Sequence, residues 1–394
     1  MKLLRTLPLV ILVAACGGST PNSPSPHLEL FEATASQIAV IDAQTHFAVR
    51  HLPLGIPSPD WKHLYSTTGA ALIDVDPRTG VTEVTVQLPG RFELPQATSS
   101  GMPGGTSPNG DWLVAESYDG TATHLVIVET AAMRVVHTEN LTGHFHFDAI
   151  SNDGQRLYLI QYLNGREYYV RLFNVVSGTL DENIVVDKSN GEQSMSGVRL
   201  SGIATPGGGW LFSMYVREQD NPFIHALSLD GPFAFCLDLP GSGYGSNASE
   251  MHWSIAMNET GDSIYAVNAA TGVLAWIDNS QQFNPNIKRT VRVSGGNAAT
   301  VGPNAAVVTR DGAWLVMAGD TGLVWIDTRT LGVRMHALRD WTVWSLALGP
   351  DGKTVYAVDD RGRIAEVGAS SGAVSYVFDP GVGRPISLMR IAAI

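Results

Sequence analysis

The chain has 394 residues and a formal net charge of −12, from 25 Lys and Arg against 37 Asp and Glu. Only 16% of the residues are charged while 41 are Gly, which favours short strands joined by tight turns over helical bundles or coiled coils, because those need abundant Glu, Lys and Arg. The 44% apolar content is sufficient for a core and excludes a disordered chain. The acidic balance disfavours nucleic acid as a partner, because its phosphates need Lys and Arg.

The first segment, residues 1–15, is predicted to be a cleaved signal peptide. It begins with two basic residues, and its apolar stretch at 7–13 is too short to span a bilayer. The residues at 13–15 together with Cys16 resemble a bacterial lipobox, in which the cysteine is diacylated and becomes the new N-terminus. The resemblance implies a protein outside the cytoplasm, held at a bacterial membrane of the cell envelope by acyl chains on Cys16. The alternative is an ordinary secretory signal with a chance cysteine.

Residues 16–27 are predicted to be the lipidated cysteine and a Gly/Ser/Pro tether between the membrane and the folded body, residues 28–394. Loss of the two basic residues of the signal peptide changes the net charge from −12 to −14. The lipid, rather than a basic surface, would therefore hold the protein at the membrane. The other cysteine, Cys236, alternates with apolar neighbours on a predicted strand and is expected to be a buried, unreactive thiol.

The folded body is a repeat, in which one type of segment recurs seven times. Its first four positions are turn-forming residues, its seventh is Leu, Ile or Val, and its eighth is Tyr, Phe or Val, which predicts a turn followed by a strand that enters the core. Successive copies lie 40 to 54 residues apart, enough for four strands each. The copies are SPDWKHLYST at 58, SPNGDWLVAE at 107, SNDGQRLYLI at 151, TPGGGWLFSM at 205, NETGDSIYAV at 258, TRDGAWLVMA at 309 and GPDGKTVYAV at 349.

A second element, a β-hairpin, follows the turn and strand within each unit. Examples are residues 71–86, 125–138, 322–338 and 363–378, each an apolar strand, a turn and a return strand. A unit is therefore predicted to contain strands a, b, c and d, as in a propeller blade. The a–b and c–d turns would lie on one face of the ring, and the b–c and d–a connections on the other, which we call the long-loop face. Its longer connections are predicted at 88–106, 139–146, 186–200, 216–222, 239–252 and 294–303.

The two ends of the chain are predicted to close the ring. Residues 30–52 align without gaps on 64–86, with Asp42 on Asp76, so the chain opens with strands b, c and d of one blade. Residues 385–394 resemble a strand a. The sequence thus predicts an all-β fold, a single β-propeller of eight four-stranded blades with paired termini and no open edge. The alternative is seven blades, with one terminal segment packed outside the ring.

The repeated S-P-D-G-x-x-L-Y and I-D-x-x-T-G patterns resemble those of bacterial WD-repeat-like or YVTN-type β-propellers, here in a lipoprotein of unassigned function. The resemblance covers nearly all of residues 28–394. It implies a fold and no particular chemistry, so the function has to be argued from a site.

The long-loop face carries the candidate site residues. His144, His146 and Asp148 alternate along an extended segment and would share one side of it, so they could hold a divalent metal ion. Neighbouring side chains of one strand seldom converge on one ion, so we expect them to be ligand-contacting or channel-lining groups, and we predict no cofactor. Further ligand-binding candidates at the channel mouth are Arg199, His252 and Trp341.

Two apparent motifs fail on their context. Residues 368–372 match G-x-S-x-G but fall in a c–d hairpin turn, whereas a nucleophile elbow needs a strand-to-helix turn. Residues 74–76 begin like a calcium loop but lie in the same kind of hairpin and lack the remaining ligands. With no catalytic residue indicated, the sequence favours a binding or scaffold module for a protein or small ligand.

The alternatives are a propeller enzyme, namely a hydrolase, lactonase or lyase that uses His144, His146, Asp148 and His252, or a mainly structural part of an envelope assembly.

Replacing Cys16 by serine is expected to remove the acyl anchor, because serine offers no thiol to the lipid-transfer reaction. In bacteria that express the chain, the variant should move from the membrane fraction to the aqueous phase of a detergent partition and lose incorporation of labelled fatty acid. The matched change at the other cysteine, Cys236→Ser, should alter neither. A Cys16→Ser variant that stays acylated and membrane-bound would contradict the prediction.

Overall fold

The protein is all-β in its computed structural model, which describes residues 27–99, 101–165, 167–187, 194–281, 284–293, 305–319 and 322–393. Eight mainly antiparallel sheets form the blades of a ring, so the fold is an eight-bladed β-propeller. This confirms the prediction of eight blades over seven. A short 3-10 helix, Ala248–His252, precedes one strand. Within the described ranges, no helix has the length and apolar character needed to cross a membrane.

The blades are numbered from the one that contains both chain ends. Blade 1 begins with β1 (Leu28–Ala33), β2 (Gln37–Asp42) and β3 (Ala48–Pro53). Blade 2 has β4 (Ile56–Pro57), β5 (Leu64–Thr68), β6 (Ala71–Val75) and β7 (Thr82–Gln87). Blade 3 has β8 (Trp112–Tyr118), β9 (Ala122–Glu129) and β10 (Arg134–Thr142). Blade 4 has β11 (Phe145–Ile150), β12 (Arg156–Tyr162), β13 (Glu167–Asn174) and β14 (Thr179–Ile184).

Two short strands follow blade 4: β15 (Val186–Asp187) and β16 (Met195–Ser196). Blade 5 has β17 (Val198–Ala204), β18 (Trp210–Val216), β19 (Phe223–Ser228) and β20 (Phe233–Asp238). Blade 6 has β21 (Trp253–Met257), β22 (Ser263–Asn268), β23 (Val273–Asp278) and β24 (Asn286–Arg292). Blade 7 has β25 (Ala306–Val308), β26 (Trp314–Gly319), β27 (Gly322–Asp327) and β28 (Gly332–Ala337). Blade 8 has β29 (Val343–Leu348), β30 (Thr354–Asp359), β31 (Ile364–Gly368) and β32 (Val374–Phe378), and β33 (Ser387–Ala393) returns to blade 1.

Pairing of the two chain ends closes the ring as predicted. β33 pairs antiparallel with β1, with Leu30 opposite Ile391, and becomes the innermost strand of blade 1. Apolar side chains fill the junctions between neighbouring blades: eight separate clusters occur among the described residues, one at each junction. The cluster between blades 8 and 1 contains Leu388 and Tyr356, so the last strand contributes to packing as well as to pairing.

The a–b turn repeats the same hydrogen bond in five of its seven copies. The hydroxyl of its first residue accepts the backbone N–H five residues on, as in Ser107 with Trp112 and Thr309 with Trp314. The fourth position has a positive φ in each copy, which is why glycine occupies it six times. In the first copy Trp61 stands there at φ 59° and packs its ring 5.0 Å from that of Phe31.

In blades 1, 2, 6 and 7, the c–d hairpin contains an aspartate whose side chain accepts backbone N–H groups. Asp327, for example, accepts the backbone N–H groups of Arg329 and Thr330, which tightens the turn. The Thr330 N–H in particular lowers the pKa of this carboxyl, since a hydrogen bond to the charged form favours it.

The blades depart from the predicted four-strand pattern in three places. Blade 3 has three strands in the described part of the chain, and residues 93–106 meet β8 only through isolated bridges, because Pro95 and Pro103 cannot donate to a ladder. Blades 4 and 5 each gain a fifth strand, since β16 pairs with β13 and β15 pairs parallel with β20. The expected long connection at 139–146 is wrong, because β10 runs to Thr142 and β11 begins at Phe145. The expected loop at 294–303 lies outside the described residues.

Truncating Leu388 to alanine is expected to lower the free energy of unfolding by about 2–5 kcal/mol, because it leaves a cavity at the junction that closes the ring. Leu388 is 1% exposed there. The matched control is Val374→Ala on the outer strand of blade 8, 43% exposed, which should change stability by less than about 0.5 kcal/mol. Urea unfolding followed by tryptophan fluorescence measures both, and equal effects would contradict the role of closure.

Candidate functional site

The predicted residues of the blade 4 inner strand have separate partners. The His144 ring stacks between Tyr118 and Tyr162, with centroids 4.3 and 4.7 Å away. His146 places Nδ1 2.5 Å from Oε1 of Glu116, and its Nε2 lies 3.1 Å from the Gln96 carbonyl oxygen. Burial alone would lower the pKa of His146, but the hydrogen bond and charge of Glu116 outweigh it and raise this pKa.

Asp148 forms an ion pair across the junction of blades 4 and 5. Its Oδ1 accepts from Nη1 of Arg199 at 3.2 Å, and the two side chains are 1% and 19% exposed. Gly202, on the same strand as Arg199, makes this geometry accessible: a Cβ at Gly202 would lie 2.5 Å from Nη2 of Arg199. A side chain at position 202 would therefore require the Arg199 guanidinium to shift.

The segment at 93–106 crosses the inner strands of these blades. Besides the contact of Gln96 with His146, the Ser99 backbone N–H donates to the Arg199 carbonyl at 3.0 Å. The segment at 93–106 therefore contacts both His146 and Arg199, and neither residue faces an open channel mouth. This explains why the inner-strand residues do not form an open site.

The remaining candidates lie elsewhere. His252 ends the short helix before the first strand of blade 6, with blade 5 between it and His144. Trp341 is 8% exposed, belongs to the core between blades 7 and 8, and has the Arg363 guanidinium 4.7 Å above its ring, so it is not the accessible stacking surface that we expected. His144, His146 and Asp148 do not bring their ligand atoms to one point. Cys16 lies outside the described residues.

A cleft of about 1040 Å³ opens between blades 4 and 5 on the long-loop face. One wall is the β12–β13 connection and the start of β13, and the other comes from the connections after β18 and β20. Backbone hydrogen bonds from Tyr244 to Arg217 and from Gly245 to Glu218 tie the last two connections together. The described lining is Tyr162, Asn164, Gly165, Glu167, Tyr168, Asp187, Ser194, Met195, Ser196, Gly197, Val198, Arg217, Glu218, Gln219, Asp220, Cys236, Asp238 and Tyr244.

The described lining of this cleft has an excess of acidic groups. Among these residues, five carboxylates occur against one guanidinium, that of Arg217. Arg217 already has partners: its Nη1 lies 3.5 Å from Oδ2 of Asp220 and 3.2 Å from Oδ1 of Asp238. Its guanidinium carbon lies 4.0 Å from the centroid of the Phe223 ring. The described lining therefore has more acidic than basic groups, which attracts cations into the cleft.

The floor of the cleft is a layer of buried polar groups. Burial raises the pKa of Tyr168 and Tyr215 and lowers that of His225, so all three are neutral near pH 7. His225 directs Nδ1 toward Sγ of Cys236 at 3.7 Å, and its buried Nε2 has no hydrogen-bond partner among the described residues. Cys236 is a free thiol whose pKa burial raises, as expected for an unreactive group, but it is only partly buried because it lines the cleft.

Sequence reasoning missed most of this site. Glu116, Tyr162 and Gly202 lie at unremarkable strand positions, and only the route of 93–106 and the junction geometry give them a role. The long connections at 216–222 and 239–252 were correctly placed on the long-loop face and do line the cleft.

Comparison with known proteins supports the fold and goes no further. No protein-family model matches the chain, and no curated protein matches it significantly. Among solved structures, apo AztD from Citrobacter koseri is similar with a TM-score of 0.54 and 12% identity, over 93% of this chain and 97% of that one. Dihydro-heme d1 dehydrogenase NirN in complex with DHE is similar with a TM-score of 0.54 and 12% identity, over 95% of this chain and 76% of that one. The protein is therefore an eight-bladed β-propeller with an acidic cleft between two blades.

Replacing Arg199 by methionine is expected to lower the free energy of unfolding by about 3–5 kcal/mol, because it leaves the buried Asp148 carboxylate unpaired. The double variant Asp148→Leu with Arg199→Met should recover most of the loss, since no charge remains to be buried. The control Arg134→Met removes an exposed pair with Glu129 and should cost less than about 1 kcal/mol. Chemical denaturation measures all three, and a double variant no more stable than Arg199→Met would contradict the ion-pair argument.

Proposed function

We propose that the protein is an extracytoplasmic lipoprotein of the bacterial cell envelope, anchored through Cys16, whose propeller is a binding module. The ligand would be small and cationic, and would occupy the cleft between blades 4 and 5. The observation that carries the proposal is the cleft itself, of about 1040 Å³ on the long-loop face. Its described lining contains five carboxylates and one arginine, which is paired with two of them. Its size is at the upper end of small-molecule sites.

The chemistry of the lining favours a positively charged ligand. Carboxylates attract an ammonium or guanidinium group, and in a cleft bounded by protein the attraction is screened less than on an open surface. Tyr162, Tyr168 and Tyr244 add aromatic rings, which bind cations through their faces. The stack of Tyr118, His144 and Tyr162 at the rim adds an exposed aromatic surface.

The walls of the cleft support binding without rearrangement. The ion pair of Asp148 and Arg199 joins the blades at the inner strands, and β15 and β16 join them further out, because each of these strands pairs with a different blade. A preformed site loses little free energy in ordering itself around a ligand.

The enzyme alternative has weaker support in the geometry. It relied on His144, His146, Asp148 and His252, yet both ring nitrogens of His146 contact protein groups and Asp148 is paired with Arg199. One similar propeller, dihydro-heme d1 dehydrogenase NirN, is described in complex with DHE, so a propeller of this general shape can hold a small ligand. A protein partner on the same face would be a different outcome of the test below.

Spermidine is the probe, with succinate as its oppositely charged counterpart, in calorimetric titrations of the purified chain. We expect spermidine to bind and succinate not to. Reversing two acids of the cleft, Glu167→Lys with Glu218→Lys, should weaken spermidine binding about tenfold or more.

The control pair Glu182→Lys with Glu259→Lys makes the same change in net charge at exposed positions outside the cleft and should leave the affinity within about twofold. Equal weakening by the two pairs would show attraction to the overall charge only. No binding of spermidine would overturn the assignment of the cleft to a cationic small ligand, and binding of a lysine-rich peptide in its place would indicate a protein partner.

A further inference from the structure

A second cluster of potential ligands lies on the opposite face of the ring, near the turns of blade 2. His63 precedes β5, Asp74 lies on β6 and Glu83 on β7. One ligand atom from each residue lies within 4.8 Å of the other two. Among the described residues, this is the one group of three or more His, Cys, Asp or Glu side chains that meets this distance. The three residues also line a cavity of about 450 Å³ between blades 2 and 3.

Comparison with the other blades shows that Asp74 is unusual. The residue paired with the core position of strand b is apolar in six of the eight blades, and the register identifies these residues as Val40, Ile127, Leu172, Ala226, Trp276 and Trp325. In blade 2 the same position holds Asp74, opposite Tyr65, and in blade 8 it holds Glu366. The repeat thus specifies an apolar side chain where blade 2 buries a carboxylate.

This carboxylate is only half satisfied. The Asp74 side chain is 4% exposed, its Oδ2 lies 2.8 Å from Nδ1 of His63, and its buried Oδ1 has no hydrogen-bond partner in the described structure. An unpaired buried carboxylate oxygen costs free energy, so nothing in the packing explains why an acid replaces the apolar residue. A cation bound by the Asp74 carboxylate would compensate its buried charge and lower this cost.

The distances are close to those of a metal site. Zinc lies about 2.0–2.2 Å from imidazole nitrogen and carboxylate oxygen in a tetrahedral arrangement, which places ligand atoms roughly 3.4 Å apart. Nδ1 of His63 is 2.8 Å from Asp74 Oδ2 and 4.0 Å from Glu83 Oε2. The side chains of His63 and Glu83 are 41% and 47% exposed, so both can move by the few tenths of an ångström required while Asp74 stays fixed.

The surroundings favour a cation as well. Asp60 and Asp111 join Asp74 and Glu83 in the described lining of the cavity, and that lining contains neither Lys nor Arg. Lys62 lies near the rim, 3.0 Å from Asp60. An imidazole among the ligands selects Zn²⁺ and similar transition metals over Mg²⁺ and Ca²⁺.

We propose that His63, Asp74 and Glu83 form a zinc-binding site on the turn face of blade 2, separate from the cleft between blades 4 and 5. Three protein ligands leave the fourth position of a tetrahedral ion facing the cavity, open to water or a small anion. The site is independent of the proposed cationic ligand and of the lipid anchor.

The test is equilibrium dialysis of the purified, tag-free chain against Zn²⁺ alone, with bound zinc measured by mass spectrometry. One equivalent of zinc should bind per chain. His63→Ala and Asp74→Asn should each weaken binding about tenfold or more, as loss of a supporting group already does at known sites. Glu83→Gln should weaken zinc binding too. Because the Glu83 side chain is exposed, this variant should fold, and it tests the site even if the Asp74 variant does not fold.

The matched control is Glu366→Gln, which removes the other carboxylate of the same repeat position, paired there with His46 at 3.7 Å. It should keep the full equivalent of zinc. Absence of stoichiometric zinc in the unaltered chain, or zinc retained by both His63→Ala and Glu83→Gln, would overturn the proposal and leave His63 and Asp74 as an ion pair. Equal competition by Ca²⁺ would likewise exclude a site that depends on the imidazole.

Discussion

Each blade is covered on both faces by its neighbours, and this packing between blades is the constraint on which the rest of the structure depends. The eight apolar clusters lie at the junctions, so a side chain that leaves a strand sideways enters a layer without water. A polar group in that layer must find a partner or destabilise the ring. Charged residues at the junctions are therefore the positions where a role other than packing is to be sought.

The fold could be predicted from the sequence because the same local chemistry recurs in every blade. Turn residues recur in each unit, and most units add a side-chain oxygen that accepts a backbone N–H in the a–b turn or the c–d hairpin. The offset between residues 30–52 and 64–86 shows which strands the chain opens with. Because the chain opens with strands b, c and d, its last strand has to supply strand a of the same blade, and β33 does pair with β1. The predicted four-strand pattern was wrong where the local repeat breaks. At residues 93–106, for example, prolines prevent a regular inner strand.

The candidate sites were much less predictable, for a physical reason. Alternation along a strand tells which side chains share a side, but not which element from another blade meets them. His144, His146 and Asp148 satisfied the alternation rule, yet their partners come from blade 3, from the segment at 93–106 and from blade 5. Asp74 did carry a signal: two residues before the repeated aspartate, blades 6 and 7 have Trp276 and Trp325 where blade 2 has an acid.

The junctions that hold the two proposed sites are built differently, and the difference matches what each could bind. At blades 4 and 5, Asp148 is paired with Arg199, and the acids of the cleft lie nearer the rim, on side chains that can contact a ligand as it enters. At blades 2 and 3, the acid lies inside the layer, and in the described structure its ion-pair partner is His63 rather than an arginine. A mobile organic cation needs the first arrangement, because it must enter and leave. A buried, half-satisfied carboxylate needs a small ion that stays, and the stability supplied by the other apolar junctions allows the ring to tolerate that acid when the ion is absent.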